Sequence, residues 1–276
     1  MKQTATRLLR KLHLLSFADR LRFLASAAQY RRHNKRFVAG HRDIVLPPPY
    51  MLYESFGKLD YRAYYEGGRE SATRIVDMLK KHADLTNARV CEWGCGPARL
   101  LRHVPDLLGP ERCTVYGSDY NQSTIAWCRS HIDGIEFSEN GLMPPLVYPD
   151  GHLDAVFCVS VFTHLSRAVQ DAWLKEIIRV LRPGGVFLMT VHGDSCIDRL
   201  SADETRLYRD EGCVVRGEVT EGGRIYTAYN SPAYMRDVFL KEVSVLEFIP
   251  GGRNAQDVWI VKTRTPFPYP DGLEDR

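Results

Sequence analysis

The chain has 276 residues, 44% hydrophobic and 26% charged, the balance of an ordinary globular protein with a large core. Its net charge of +3 conceals an asymmetry: residues 1–42 hold eleven Lys/Arg and one acid, Asp19, whereas residues 43–276 hold 26 basic and 33 acidic residues. An arm of +10 on a body of −7 argues against a body that grips a phosphate backbone, and no apolar run approaches the ~18 residues that would span a bilayer.

Residues 1–37 read as a basic amphipathic helix within an N-terminal arm, 1–44. Leu8, Leu12 and Leu15, then Leu14, Leu21 and Leu24, recur at spacings of three, four and seven with Arg/Lys between them. Three readings are open: a helix packed on the body, a helix on an anionic membrane surface, or an organelle transit peptide. Arg20 and Arg22 interrupt the one candidate secretory core, "LHLLSFA", so the expected location is cytoplasmic. Val45–Gly68 is Pro-rich, then aromatic, and closes on Gly67-Gly68, which predicts a loop and linker. Its tyrosines 50, 53, 61, 64 and 65 are expected mainly to pack, with a substrate-lining role second. A helix is predicted over about Glu70–His82, with Ala72, Ile75, Val76, Met78 and Leu79 on its apolar face.

From residue 88 strands and helices alternate. "ARVCEWGCGPARLL" predicts a strand Arg89–Trp93, a glycine turn and a helix from about Ala98. "CTVYGSD" and "IEFSEN" are further strands, with a helix near Gln122–His131 between them. "HLDAVFCVSV" is the most apolar strand, as a central one should be. "DAWLKEIIRVLRPGG" predicts a helix stopped by Pro183 and Gly184-Gly185, and "VFLMTVHG" a fifth strand. This is a doubly wound α/β sheet. An insertion, 193–231, contains two alternating runs around Glu221-Gly222-Gly223, a hairpin signal. "SPAYMRDVFL" is a helix capped by Ser231, "SVLEFIP" and "QDVWIVKT" are closing strands, and 266–276 is a loose tail after a domain of 45–265. Seven cysteines, an odd number without C-x-x-C spacing, predict unpaired thiols and no metal site.

The glycine turn defines the ligand chemistry. Gly94, Gly96 and then Arg99 break the dinucleotide pattern G-x-G-x-x-G, and the Lys-Ser/Thr of a P-loop is absent. Glu92, at the carboxyl end of the strand, would repel a pyrophosphate but suits an ammonium group. Asp119 ends the second strand, where a carboxylate can accept both ribose hydroxyls. An amino acid at one end and a ribose at the other describe S-adenosylmethionine (SAM).

"VCEWGCGPAR", "YGSDYN", "HLDAVFCVSVFTHLS" and "RVLRPGG", in that order, resemble the class I SAM-dependent methyltransferases. More narrowly, the chain is similar to a bacterial type 11-like group found among proteins of surface-glycan and secondary metabolism. The resemblance covers about Tyr61–Val261 and departs from the commoner pattern at Pro97-Ala98, where a third glycine is usual. It implies a Rossmann-like seven-stranded sheet whose last strand is antiparallel. It also implies that Gly94, Cys95 and Gly96 admit the methionine part of SAM, that Glu92 receives its ammonium, and that Asp119 holds the ribose. Tyr120 would cover the adenine, Glu139, Asn140, Gly141 and Leu142 would edge it, and Val159 and Ser160 would lie beneath the sulfonium. Plainer roles exist: Cys95 as a small residue that fits, Glu139 as a solvated acid, Tyr120 as core.

A metal-dependent O-methyltransferase needs carboxylates at the end of the fourth strand, where this chain has Cys158, Val159 and Ser160. "PPPY" (47–50) and "MPPL" (143–146) both precede that strand, so neither is the N-methyltransferase element that follows it. His164 and His192 are the candidate general bases, with packing or capping of the next helix the plainer role for His164. The expected activity is O-methylation of a saccharide or other small metabolite. An N-methyltransferase of an amine-bearing metabolite or protein, and a SAM-binding non-catalytic scaffold, are the alternatives. A scaffold would have its acceptor pocket filled by Phe162, Tyr226 or Tyr229. Oligomeric state is not legible.

Overall fold

The computed structural model describes residues 15–109, 113–253 and 255–264, with the side chains of 15 and 16 left aside. Leu8, Leu12 and Leu14 of the arm and the tail 266–276 lie outside the described residues.

Seven strands form one sheet in the order β3-β2-β1-β4-β5-β9-β8: β1 Arg89–Trp93, β2 Thr114–Asp119, β3 Glu136–Glu139, β4 Leu153–Cys158, β5 Leu181–Val191, β8 Val243–Ile249 and β9 Asp257–Thr263. β1 to β5 pair in parallel, and the last strand, β9, runs antiparallel to both β5 and β8. Alternation within each strand feeds two cores, which is why these strands read as continuous apolar runs. Val90, Ala155, Phe157, Val186 and Leu188 face α3 (Tyr61–Lys80) and α5 (Gln122–His131). Cys91, Val156, Cys158, Phe187 and Met189 face α6 (Arg167–Val180), with its Trp173 and Ile177. The order reverses between β1 and β4, so β1, β2 and β4 open their carboxyl ends at the crevice where such sheets bind ligands.

Ahead of the sheet lie α1 (Leu15–Gly40), α2 (Pro49–Phe56) and α3. Ser26 and Asn34 of α1 bind the Leu59 backbone: Leu59 N donates to Ser26 Oγ at 2.7 Å, and Asn34 Nδ2 donates to Leu59 O at 2.8 Å. The described part of the arm is thus a helix packed on the body.

Several boundaries differ from expectation. The stretch before Gly68 is helical, not a linker: α3 begins at Tyr61, where the Asp60 side chain accepts from Ala63 N. Gly68 is a packing requirement, because a Cβ there would lie 2.4 Å from the Arg99 carbonyl oxygen. No helix starts at Ala98, whose φ is 55°; a 3-10 turn, Leu101–His103, leads instead into the short α4, Val104–Leu108. α6 stops at Val180, before Pro183, because Leu181 already pairs with Leu153; residues 182–185 bulge out before Ala155 meets Val186. In the insertion, a 3-10 turn (Asp194–Arg199) and α7 (Ala202–Glu211) precede β6 (Cys213–Arg216) and β7 (Thr227–Asn230), which pair antiparallel. The Glu221-Gly222-Gly223 segment is not a tight turn between them but part of a longer loop docked on the segment between β4 and α6. After Ser231, α8 (Pro232–Tyr234) continues as a π turn, Met235–Phe239.

Candidate active site

The turn after β1 is built on backbone geometry few residues tolerate. Gly94, Gly96 and Ala98 have φ of +74°, +51° and +55°, and a Cβ on Gly94 would fall 2.3 Å from Val161 Cγ2. Gly94 N and Cys95 N both donate to Ser118 O, at 2.7 and 3.0 Å, which ties the turn to the end of β2. Cys95 is buried, as a small residue that fits. Gly96 N donates to Asp119 Oδ2 at 2.9 Å, and Asn121 N to Oδ1 at 2.8 Å. Asp119 therefore braces the glycine turn and the start of α5 together, and each oxygen keeps capacity for a further donor. Burial raises its pKa, and these N–H groups pull the other way.

Across the turn, Glu92 is 2% exposed, and its Oε2 has no hydrogen-bond partner among the described residues. Burial pushes its pKa up to about 8, opposed by the Arg99 guanidinium. A buried carboxyl oxygen without a partner is costly, and Oε2 is left open to a group entering from the cleft.

Both carboxylates line a cleft of about 270 Å³, together with Gly94, Cys95, Gly96, Tyr120, Asn140, Gly141, Leu142, Val159, Ser160 and His164. The loop after β3 is fixed from below: Asn140 N donates to Asp119 O at 3.1 Å, and Trp173 Nε1 to Leu142 O at 2.7 Å. Tyr120 is half exposed, not core, and its hydroxyl donates to Gly222 O at 3.3 Å, joining this side to the insertion. Glu139 ends β3 as an exposed side chain and is not among the lining residues.

At the other side, Ser160 has φ of 63° and is held by several bonds. Its N donates to Thr190 Oγ1 at 2.8 Å, and its Oγ accepts from Gln256 Nε2 at 2.7 Å. His164 closes the 3-10 turn Phe162–His164, and its Nδ1 is 2.8 Å from Tyr226 O. A carbonyl only accepts, so Nδ1 carries the proton and Nε2 is the basic nitrogen. Burial lowers the His164 pKa, keeping the ring neutral near pH 7. His192 lies behind the cleft, outside its lining, stacked on Tyr229 with Nδ1 3.1 Å from Ala228 O. Burial depresses its pKa to about 4, and its Nε2 is 3.5 Å from the Gln256 amide that holds Ser160.

The tyrosines 50, 53, 61, 64 and 65, for which lining was the second expectation after packing, do not line the cleft; Met51, Glu54 and Ser55, on one face of α2, and Phe56 do. Spacings of three and four after Pro48-Pro49, with proline admissible at a helix start, were the available signal. Tyr53 and Tyr64 are buried; the Tyr64 hydroxyl donates to Pro97 O at 3.0 Å, bracing the glycine turn. Arg224 of the insertion also lines the cleft, over the Tyr53 ring at 4.9 Å and ion-paired with Asp19 of α1. Among the described residues, no group of three or more His, Cys, Asp or Glu could hold a metal ion.

A buried carboxyl oxygen without a partner, a tight glycine turn and a carboxylate at the next strand end are compatible with a SAM site. Comparison with known proteins agrees. Residues 90–185 match the family described as "Methyltransferase domain". A fatty-acid O-methyltransferase of Mycolicibacterium smegmatis is 39% identical over 119 residues, 42% of this chain and 42% of that protein. The chain thus matches less than half the length of that relative. A Pyrococcus horikoshii protein superposes with a TM-score of 0.53 at 17% identity, over 74% of this chain and 96% of that one. Magnesium protoporphyrin IX methyltransferase from Synechocystis, solved with bound SAH, gives 0.51 at 16%, over 77% and 91%. Residues 90–185 thus match a methyltransferase domain, and the relatives and solved structures support the resemblance to class I SAM-dependent methyltransferases.

Proposed function

We propose that the chain binds SAM in this cleft and transfers its methyl group to an oxygen of a small-molecule acceptor. The observation that carries the reading is the pairing of Glu92, buried with its Oε2 unpartnered, with Asp119 across the Gly94–Gly96 turn. When bound, SAM supplies an electrophilic methyl carbon on a sulfonium. Glu92 receives the ammonium, Asp119 the ribose hydroxyls, Asn140 to Leu142 flank the adenine beside Tyr120, and Val159 and Ser160 lie near the sulfonium. His164 takes the proton of an acceptor hydroxyl at Nε2, while its Nδ1–H stays on the Tyr226 carbonyl. A carboxylate acceptor needs no base, and His164 then serves to orient it.

Phe162, Tyr226 and Tyr229 are buried and none lines the cleft, which leaves it open, as an enzyme requires and a non-catalytic scaffold does not. A saccharide hydroxyl is the acceptor expected from the sequence; the name of the mycolicibacterial relative adds a fatty carboxyl to the oxygens worth testing. The test is incubation with methyl-labelled SAM and a panel of saccharides, fatty acids, hydroxylated lipids and amines. Label on an oxygen supports the reading. Label confined to an amine moves it to N-methylation, and bound SAM with no transfer moves it to the scaffold.

A further inference from the structure

α1 has two faces of different use. Its inner face carries Asp19, Phe23, Ser26 and Asn34 against α2 and the segment before α3, and Phe37 beside Tyr65 of α3. Its outer face carries Phe17, Leu21 and Leu24, exposed by 63%, 51% and 56%. Spacings of four and three place these three large apolar side chains in one stripe, with nothing among the described residues covering them. Arg20, Arg31, Arg32 and Lys35 are exposed on the same helix, within a segment of +10 on a body of −7. Apolar anchors with a cationic collar match the chemistry of an anionic lipid surface. A nucleic acid would meet the arginines but give Phe17, Leu21 and Leu24 nothing to bury against. A second α1 would be repelled by its own charge.

α1 also reaches the cleft. Asp19 accepts from the Tyr53 hydroxyl at 3.2 Å and pairs with Arg224, which lines the cleft. Tyr50, half exposed beside the lining residue Met51, packs edge-on against Phe23 of α1 at 5.4 Å. One ion pair and one aromatic contact separate the outer stripe's helix from the cleft wall.

We propose that the outer face of α1 docks on an anionic bilayer and that the methyl acceptor is an amphiphile presented to the cleft from that surface. The docking stands independently; the acceptor class rests on the methyl-transfer reading above.

The test uses the full chain with phosphatidylglycerol–phosphatidylcholine vesicles, and pure phosphatidylcholine vesicles as control. The wild type sediments with the anionic vesicles and is released by salt. Phe17→Glu/Leu21→Glu/Leu24→Glu reduces that partition about tenfold or more, with thermal unfolding and SAM affinity unchanged because all three side chains are exposed. A wild type that never sediments, or a triple variant that sediments equally, overturns the docking. So does a wild type that ignores vesicles but binds tRNA, or that forms a dimer the triple variant loses.

For the acceptor, methyl-labelled SAM is offered with a long-chain fatty acid or hydroxylated lipid in anionic vesicles and in neutral detergent. The triple variant loses turnover about tenfold in vesicles and keeps it in detergent. Methylation of water-soluble acceptors alone, or equal turnover by both proteins in vesicles, overturns the acceptor class. Vesicle binding without any methyl transfer overturns the acceptor class together with the methyl-transfer reading and leaves the docking standing.

Discussion

Glu92 holds a proton near neutrality because burial raises its pKa to about 8. An ammonium arriving at Oε2 stabilises the ionised form, so SAM binding at pH 6.5 releases about one proton from this carboxyl. The binding enthalpy should therefore vary with the ionisation enthalpy of the buffer, and Glu92→Gln should remove that dependence; a buffer-independent enthalpy in the wild type would deny Glu92 this role. On the proposed reading Asp119→Ala removes a ribose acceptor, and it leaves the Gly96 and Asn121 N–H groups without theirs, so SAM affinity should fall about tenfold or more by calorimetry. His164→Ala should lower kcat for a hydroxyl acceptor about 10²–10⁴-fold with SAM affinity intact. Since the His164 pKa is lowered, the wild-type acid limb should lie below the ordinary histidine value, and it should vanish in the variant. His192 lies outside the cleft lining, so His192→Ala should leave that limb in place. The sequence favoured His192, at a strand's carboxyl end, over His164, whereas the cleft is lined by His164 and not by His192. Each ring is aimed by a carbonyl far along the chain, Tyr226 for one and Ala228 for the other, and no local pattern encodes that.

Elements whose signal is local were the legible ones. β1, β2, α5 and the glycine turn have apolar periods, capping residues and glycines that agree over a few positions, and they stand where they were expected. The same holds for the sheet's antiparallel last strand, which followed from resemblance and not from periodicity. Elements whose ends are set by tertiary contacts were not legible. Gly68 looked like the end of a linker and is instead the point where α3 meets the Arg99 carbonyl. Gly68→Ala should cost about 1–3 kcal/mol in chemical unfolding, because the neighbour is backbone and cannot turn aside. A neutral result there would contradict the packing account. α2 was hidden for the opposite reason. Prolines and tyrosines marked it as a loop, yet proline at the first turn only fixes the entry of a helix that brings Met51, Glu54 and Ser55 to the cleft. Glu139 shows the limit at loops: one residue separates an exposed strand end from Asn140, buried against Asp119.

At the scale of the molecule, the parallel sheet supplies the cofactor side of the cleft, while the N-terminal helices and the insertion supply the other wall. Their joint is the insertion: Gly222 N donates to His164 O at 2.9 Å, and Ser166 N donates to the Glu221 carboxylate. Asn230 N likewise donates to His192 O at 2.9 Å, so His192 belongs to the same seam. With its folded pKa depressed to about 4 from 6.5, the unfolded chain binds this proton first as pH falls. The contribution of His192 to stability is whole above pH 6.5 and is lost between there and about pH 4. His192→Gln should flatten that part of the stability–pH curve, read by denaturant unfolding at each pH; an unchanged slope would place the acid sensitivity elsewhere.

The most direct test of the central claim is calorimetric titration of the full chain and of Asp119→Ala with SAM and with S-adenosylhomocysteine. The account predicts one site for both ligands in the wild type, and affinity reduced about tenfold or more in the variant. A folded wild type that binds neither ligand, or a variant that binds as tightly as the wild type, would contradict it.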